Sequence, residues 1–171
     1  LYIIYSLLKQ NKRVIFITID RNKKFIRDLF LKHDLYIKNF EKKNKLIFID
    51  VYRKVIEKED IEDIDCYIQS SIKHYKGDIV VISSLSATLD IFGDSNKTIN
   101  FIQNWIMLSK KLKVNTISLF TNWPYKKVLI NKIKSFFNTE LELKLIEKQV
   151  ILRTHFKITK IENKKRNNEA V

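Results

Sequence analysis

An α/β fold with a mostly parallel sheet is predicted by two features of the 171-residue sequence. Short apolar runs of four to six residues, such as Val14-Ile15-Phe16-Ile17-Thr18-Ile19, alternate with longer stretches whose apolar residues recur at helical spacing. The runs are continuously apolar rather than alternating, as in strands buried on both faces. That pattern requires helices on both sides of the sheet and right-handed crossovers between parallel strands, which gives three layers.

Taken in order, Leu1, Ile4, Leu7 and Leu8 lie on one helical stripe, and the strand from Val14 follows. A helix is expected near Lys23 to His33, a strand at Leu46 to Asp50, and a helix at Ile61 to Lys76 carrying Ile64, Ile68 and Ile72. Asp60 and Asp63 place carboxylates at the start of that helix, where free amides and the positive end of the dipole favour them. The surrounding cluster Glu57, Glu59, Asp60, Glu62, Asp63 and Asp65 is most simply the same bias; docking of a basic partner is the alternative. Ile79 to Ser83 is the third strand, and Gly93-Asp94-Ser95 breaks the chain before a helix at Asn96 to Leu112. A fourth strand at Thr116 to Phe120 and a helix at Lys126 to Phe137 follow. Alternation at Leu141, Leu143, Leu145 and again at Val150, Leu152, Phe156, Ile158 predicts a closing antiparallel pair that extends the sheet. Residues 1–162 thus read as one domain, and 163–171 as a basic flexible tail without periodicity. The sequence opens at Leu1 inside an amphipathic helix with no capping residue ahead of it, which predicts further chain upstream.

Composition narrows the function classes. Apolar residues make up 45% and charged residues 30%, with two glycines and one proline, which excludes disordered and collagen-like chains. No apolar run approaches the roughly 20 residues that a membrane-spanning helix needs. The single cysteine, Cys66, cannot form an internal disulfide; with no signal-peptide pattern, this points to a reducing cytosol. Cys66 lies between Ile64 and Ile68 and is expected to be buried filler. The net charge of +14 invites an anionic partner, but 27 Ile, 27 Lys and 14 Asn are also what AT-rich codons produce, and Arg occurs only six times.

Motifs for chemistry are scarce. His33, His74 and His155 have no second ligand at metal spacing, so no metal site is predicted. Gly77 and Gly93 are the only glycines, which rules out a G-x-S-x-G elbow and a glycine-rich phosphate cradle within these residues.

The order of segments is more specific. Leu1 to Thr18, then Lys24-Phe25-Ile26-Arg27-Asp28-Leu29 and Leu46 to Tyr52, and Asp78 to Ser86 with its Ser83-Ser84-Leu85-Ser86 turn resemble the core of a KaiC-like ATPase of the RecA superfamily, entered just after its phosphate-binding loop. Leu46 to Tyr52 and Lys132 to Lys144 resemble most the accessory ATPase branch of the archaellum, the archaeal flagellum. The resemblance implies a three-layer RecA-like P-loop NTPase fold, with the first strand and phosphate loop missing from this chain. It also implies ATP and magnesium as the family's cofactors.

The family's roles transfer residue by residue. The acidic residue that polarises the attacking water matches Asp20, one methylene shorter than the usual Glu; alternatively Asp20 caps the strand-to-helix turn with Asn22. The magnesium-orienting Walker B aspartate is replaced by Ser83, whose neutral hydroxyl lacks the charge that a hard cation favours. Ser84 matches the adjacent family serine, although a local turn bond accounts for it equally well. Asn122 falls where the fold senses phosphate. Lys160 retains the first of two cations offered to a neighbouring subunit's nucleotide, whereas Glu162 reverses the charge of the second.

The reading that follows is a degenerate or truncated KaiC-like ATP-binding domain, with weak or absent nucleotide binding. It would act through protein contacts with the archaellum motor ATPase and ring components or a related signalling ring. The resemblance implies a homo-oligomer, cytoplasmic and peripheral to a membrane-bound motor. An active ATPase fragment and a nucleic-acid-binding RecA-like domain are the alternatives.

Overall fold

The structure, a computed structural model, describes residues 1–93, 96–121, 125–148 and 151–161. They divide into two units, Leu1–Thr121 and Asn122–Val171. The first contains α1 (Tyr2–Lys9), β1 (Val14–Thr18), α2 (Lys23–Lys32), α3 (Lys38–Lys42), β2 (Leu46–Asp50), α4 (Tyr52–Ile56), α5 (Ile61–Tyr75), β3 (Ile79–Ser83), α6 (Leu85–Phe92), α7 (Asn96–Lys111) and β4 (Asn115–Ser118). Its four strands are parallel in the order β2-β1-β3-β4.

All five residues of β1 are buried, because the strand is paired on both edges and covered on both faces. Val14 and Phe16 pack with Ile4 and Leu8 of α1, Ile26 and Phe30 of α2, and Leu35 and Ile37 ahead of α3. Ile15 and Ile17 have the opposite parity and point to the other face. There α5 packs on β1, and α7 on α5, α6 and β4. Each buried Ile, Val or Phe of these two layers is worth about 1.5–3 kcal/mol relative to exposure.

The α/β expectation and the four parallel strands hold. Three helices escaped the sequence. α3 and α4 have five residues each, too few to show a period. In α6, Leu85 to Leu89 are consecutively buried, so no polar face marks it as a helix. The antiparallel pair, β5 (Thr139–Lys148) with β6 (Ile151–Ile161), exists as expected, but it forms a two-stranded sheet of its own instead of extending the parallel one. In the same unit α8 spans Lys127–Lys134, and Lys134 pairs with Glu140. The expected tail at 163–171 lies outside the described residues.

Cys66 is exposed, not buried. On α5 it stands two residues, about 200°, from Ile64, and the inward place beside Ile64 goes to Asp65. The Trp105 Nε1–H of α7 donates to Asp65 Oδ1 at 2.5 Å, and Gln69 donates to Oδ2 at 2.8 Å. Two acids of the cluster behave as the dipole argument requires, Glu62 and Asp63 in the first turn; Asp60 is the N-cap residue, though its side chain makes no cap bond, and Glu57 and Glu59 pair with Arg53 and Lys54 instead.

Gly77 is fixed by close approach. A Cβ there would lie 2.9 Å from Ile15 Cγ1 and 3.3 Å from the Arg13 carbonyl oxygen. Gly93 closes α6 at a φ of +82°, a left-handed conformation that favours glycine. Both glycines therefore serve the scaffold.

Two outcomes follow for urea denaturation. Asp65→Ala leaves the buried Trp105 N–H without its acceptor and should lower stability by about 1–3 kcal/mol. Gly77→Ala overpacks against Ile15 and should cost about 1–3 kcal/mol. A midpoint unchanged by either substitution contradicts the packing described.

Candidate functional site

The carboxyl ends of β1, β2 and β3 lie side by side, since Thr18 is in register with both Asp50 and Ser83. Ligands of open α/β sheets bind at this edge, where side chains of the strand-to-helix turns converge. The Ile19 N–H donates to the Ser83 carbonyl at 3.1 Å, which holds the turn containing Asp20 against the end of β3. The Ser83–Ser84 peptide is cis.

Asp20 is half-buried in the β1–α2 turn, and among the described residues its carboxylate has no hydrogen-bond or ion-pair partner. The capping alternative is thereby resolved: Asn22 alone caps α2, its Oδ1 accepting from the Phe25 N–H at 2.8 Å. Asp50 is the acid that sequence reasoning missed at this edge. Its Oδ1 accepts from Thr18 Oγ1 at 3.4 Å and its Oδ2 from the Lys23 N–H at 3.3 Å, so it braces the turn that carries Asp20. An acidic residue closing an apolar strand beside a second such strand was the available signal.

Ser83 is half-buried at the end of β3. Ser84 is the N-cap of α6: its Oγ accepts from the Ala87 N–H at 3.2 Å, and its carbonyl accepts from Thr88 Oγ1 at 3.0 Å. The local-turn alternative accounts for Ser84, whose hydroxyl is occupied by the helix. Ser86, which belongs to the turn motif but has no role assigned to it there, is buried and accepts from the Thr121 N–H at 2.7 Å, tying the start of α6 to the segment after β4. Asn122 and Glu162 lie outside the described residues. Lys160 stands on β6 in register with Glu140, within the second unit.

Asp20 and Ser83 are thus brought to one edge, Ser84 is committed to a helix cap, and Lys160 belongs to the hairpin. Among the described residues no group of three His, Cys, Asp or Glu side chains could hold a metal ion. With Asp50 engaged by Thr18 and Lys23, the turn directly after β1 offers the carboxylate of Asp20, and β3 ends in a neutral hydroxyl where a magnesium site wants further charge. Among the described residues, this edge does not fit a resident magnesium ion. A cavity of about 470 Å³ lies elsewhere, over α2 and α3, lined by Arg27, Leu31, Tyr36 and Glu41 among others. Among the described residues no helix is long and apolar enough to cross a membrane.

A family model described as "ATPase: KaiC" matches residues 1–169. The chain belongs to the KaiC family of ATPases. Two solved structures share its fold. One is a KaiC-like protein from the hyperthermophilic archaeon Pyrococcus horikoshii OT3, 17% identical, with a TM-score of 0.74 over 92% of this chain and 69% of that one. The other is the flagellar accessory protein FlaH from Methanocaldococcus jannaschii, 15% identical, with a TM-score of 0.67 over the same shares. No curated protein sequence matches this KaiC-family chain. The expected RecA-like architecture is therefore that of its structural neighbours, with β1, β2 and β3 delivering their ends to one edge.

Thermal or urea unfolding separates scaffold from site in this KaiC-family domain. Asn22→Ala and Ser84→Ala remove helix caps and should each cost about 1 kcal/mol. Asp20→Ala removes a carboxylate with no partner and should change stability by no more than about 0.5 kcal/mol. A large loss for Asp20→Ala would show that the residue serves the fold.

Proposed function

We propose that this chain is a KaiC-family nucleotide-fold domain with weakened catalysis that acts through protein contacts, in the archaellum motor or a related signalling ring. The observation that carries this reading is Ser83. It ends β3 beside β1, at the position the family resemblance gives to the magnesium-orienting aspartate, and it brings a hydroxyl without charge. The accessory-protein neighbour supports the archaellar branch through its fold, and the archaellum motor ATPase and ring components are the partners that branch suggests. Oligomerisation with further copies, as the family resemblance implies, belongs to the same reading.

Within residues 1–171 both glycines are spent on the scaffold, so these residues present no glycine-rich loop to cradle a triphosphate. Among the described residues at the carboxyl edge, what is left to meet ATP is Asp20, Ser83 and the turn around them. A carboxylate repels phosphate and a lone hydroxyl offers one hydrogen bond, which together give little affinity.

A second reading, an active ATPase, is favoured by one specific observation: Asp20 is free of structural duty and half-exposed, as a residue that orients a water must be. Hydrolysis separates the two readings. Calorimetry on residues 1–171 should give ATP dissociation constants of roughly 100 µM or weaker. Joined to an upstream phosphate loop, the chain should bind ATP yet release phosphate slowly, and Ser83→Asp with Glu162→Arg should raise that rate at least about tenfold, by restoring charge at the metal and at the transition state. If the joined chain with native Ser83 and Glu162 is already as fast, and Asp20→Asn abolishes its turnover, the active reading replaces the first.

A further inference from the structure

The positive charge of the first unit is concentrated at one end of the sheet. The four strands start in register, Val14 with Leu46 and Ile79, and Ile79 with Asn115. The helix-to-strand connections α1–β1, α3–β2, α5–β3 and α7–β4 therefore lie side by side. Each, taken with the last turn of its helix, carries two exposed lysines: Lys9 and Lys12, Lys42 and Lys43, Lys73 and Lys76, Lys111 and Lys113. Two further cations turn to the backbone, Arg13 to the Tyr75 carbonyl and Lys45 to the Asn11 carbonyl. The only acids in these connections and the adjoining helix ends are Glu41, which is paired with Arg27, and Asp78, which accepts from the Arg13 N–H.

One cation in the last turn of each helix would satisfy the helix dipole; two per connection exceed it. A codon bias would spread the excess evenly, yet the opposite end, counted with its adjoining helix turns in the same way, is balanced: Asp20, Asp50, Glu57, Glu59, Asp60, Glu62 and Asp63 stand there with Arg21, Lys23, Lys24, Arg53, Lys54, Lys58 and Lys97.

We infer that this end adsorbs to an anionic phospholipid surface. The cations extend in two dimensions, about 15 Å along the sheet at 4.7–4.9 Å per strand and across the helix layers on both of its faces. That spread suits a plane better than the narrow track of a nucleic-acid backbone. They are lysines, compact point charges suited to a diffuse anionic layer, not the arginine forks that grip individual phosphates or bases. Tyr75 and Leu112, 38% and 40% exposed, stand among them and can reach the headgroup boundary. A second copy of this chain is a poorer occupant, because three acids of its opposite end are already paired within the chain, Glu57 with Arg53, Glu59 with Lys54 and Glu62 with Lys97, and the acids left over there, Asp20, Asp60 and Asp63, share that end with Arg21, Lys23, Lys24 and Lys58. The Lys97 hydrogen bond holds the Glu62 carboxyl below its ordinary range, as a satisfied pair should.

The test is cosedimentation of the 171-residue chain with vesicles at 50 mM salt. Binding to phosphatidylcholine vesicles containing 30 mol% phosphatidylglycerol is expected, with no binding to pure phosphatidylcholine and release at roughly 500 mM salt. The variant K42Q/K43Q/K111Q/K113Q should lower partitioning about 100-fold or more, since each lysine near an anionic surface contributes about fivefold. The equally charged variant K23Q/K24Q/K58Q/K97Q, altered away from this end, should lose no more than about fivefold. Circular dichroism checks folding; should the quadruple variant unfold, K42Q/K43Q and K111Q/K113Q made separately should each lose about tenfold or more. Equal losses in the patch and control variants, equal binding to neutral vesicles, or tighter binding through the same lysines to a 20-base-pair duplex at equal phosphate would overturn the inference.

Discussion

Strand β1 carries the first unit because it is paired on both edges and is buried along its whole length between the two helix layers. Its five residues are buried and its backbone is paired with β2 on one side and β3 on the other. Val14 and Phe16 anchor one helix layer while Ile15 and Ile17 anchor the opposite one, so both halves of the core meet in a stretch of five residues. An unpaired backbone group there would have no water to turn to, which makes the register of the neighbouring strands as constrained as their hydrophobicity. The ban on a side chain at Gly77 is a local form of the same constraint, since the α5–β3 connection must pass against Ile15 and Arg13 to enter the sheet in register.

The chemistry of the carboxyl edge is a consequence of where β1 stops. Thr18 is the one polar residue of the strand, and at its end the chain turns through Asp20 toward α2. Neighbouring groups there are mostly consumed by structure: Asp50 by Thr18 and the Lys23 amide, Ser84 by α6, Asn22 by α2. Asp20 is left over, which is why it is the residue on which a catalytic reading of this KaiC-family domain depends, and Ser83 is the residue on which such a reading weakens.

The two ends of the sheet are electrostatically unlike. Crossovers between parallel strands bring the helix that precedes each strand, α1, α3, α5 and α7, to the same end, so their C-termini and the preference of these for cations accumulate there. At the other end the acids around the start of α5 find partners in Arg53, Lys54 and Lys97, and local pairing leaves little free charge. Polarity of this kind is a property of the topology acting on a lysine-rich sequence, and neither alone would produce it.

The sequence by itself determined the α/β class, the four strand positions, the long helices α5 and α7 and the C-terminal hairpin, because each shows in a periodicity or an apolar run that local geometry reads directly. Segment order carried the family and singled out Asp20 and Ser83. Only the tertiary structure decided what depends on neighbours distant in sequence. Asp65 turns inward and Cys66 outward because Trp105, forty residues away, supplies an N–H for a buried carboxylate. Ser84 became a cap and Asp20 did not, because α6 begins directly after β3 whereas Asn22 already served α2. The hairpin stayed a separate sheet because its strands pair with each other, and alternation records which face of a strand is apolar but not which strand lies beside it.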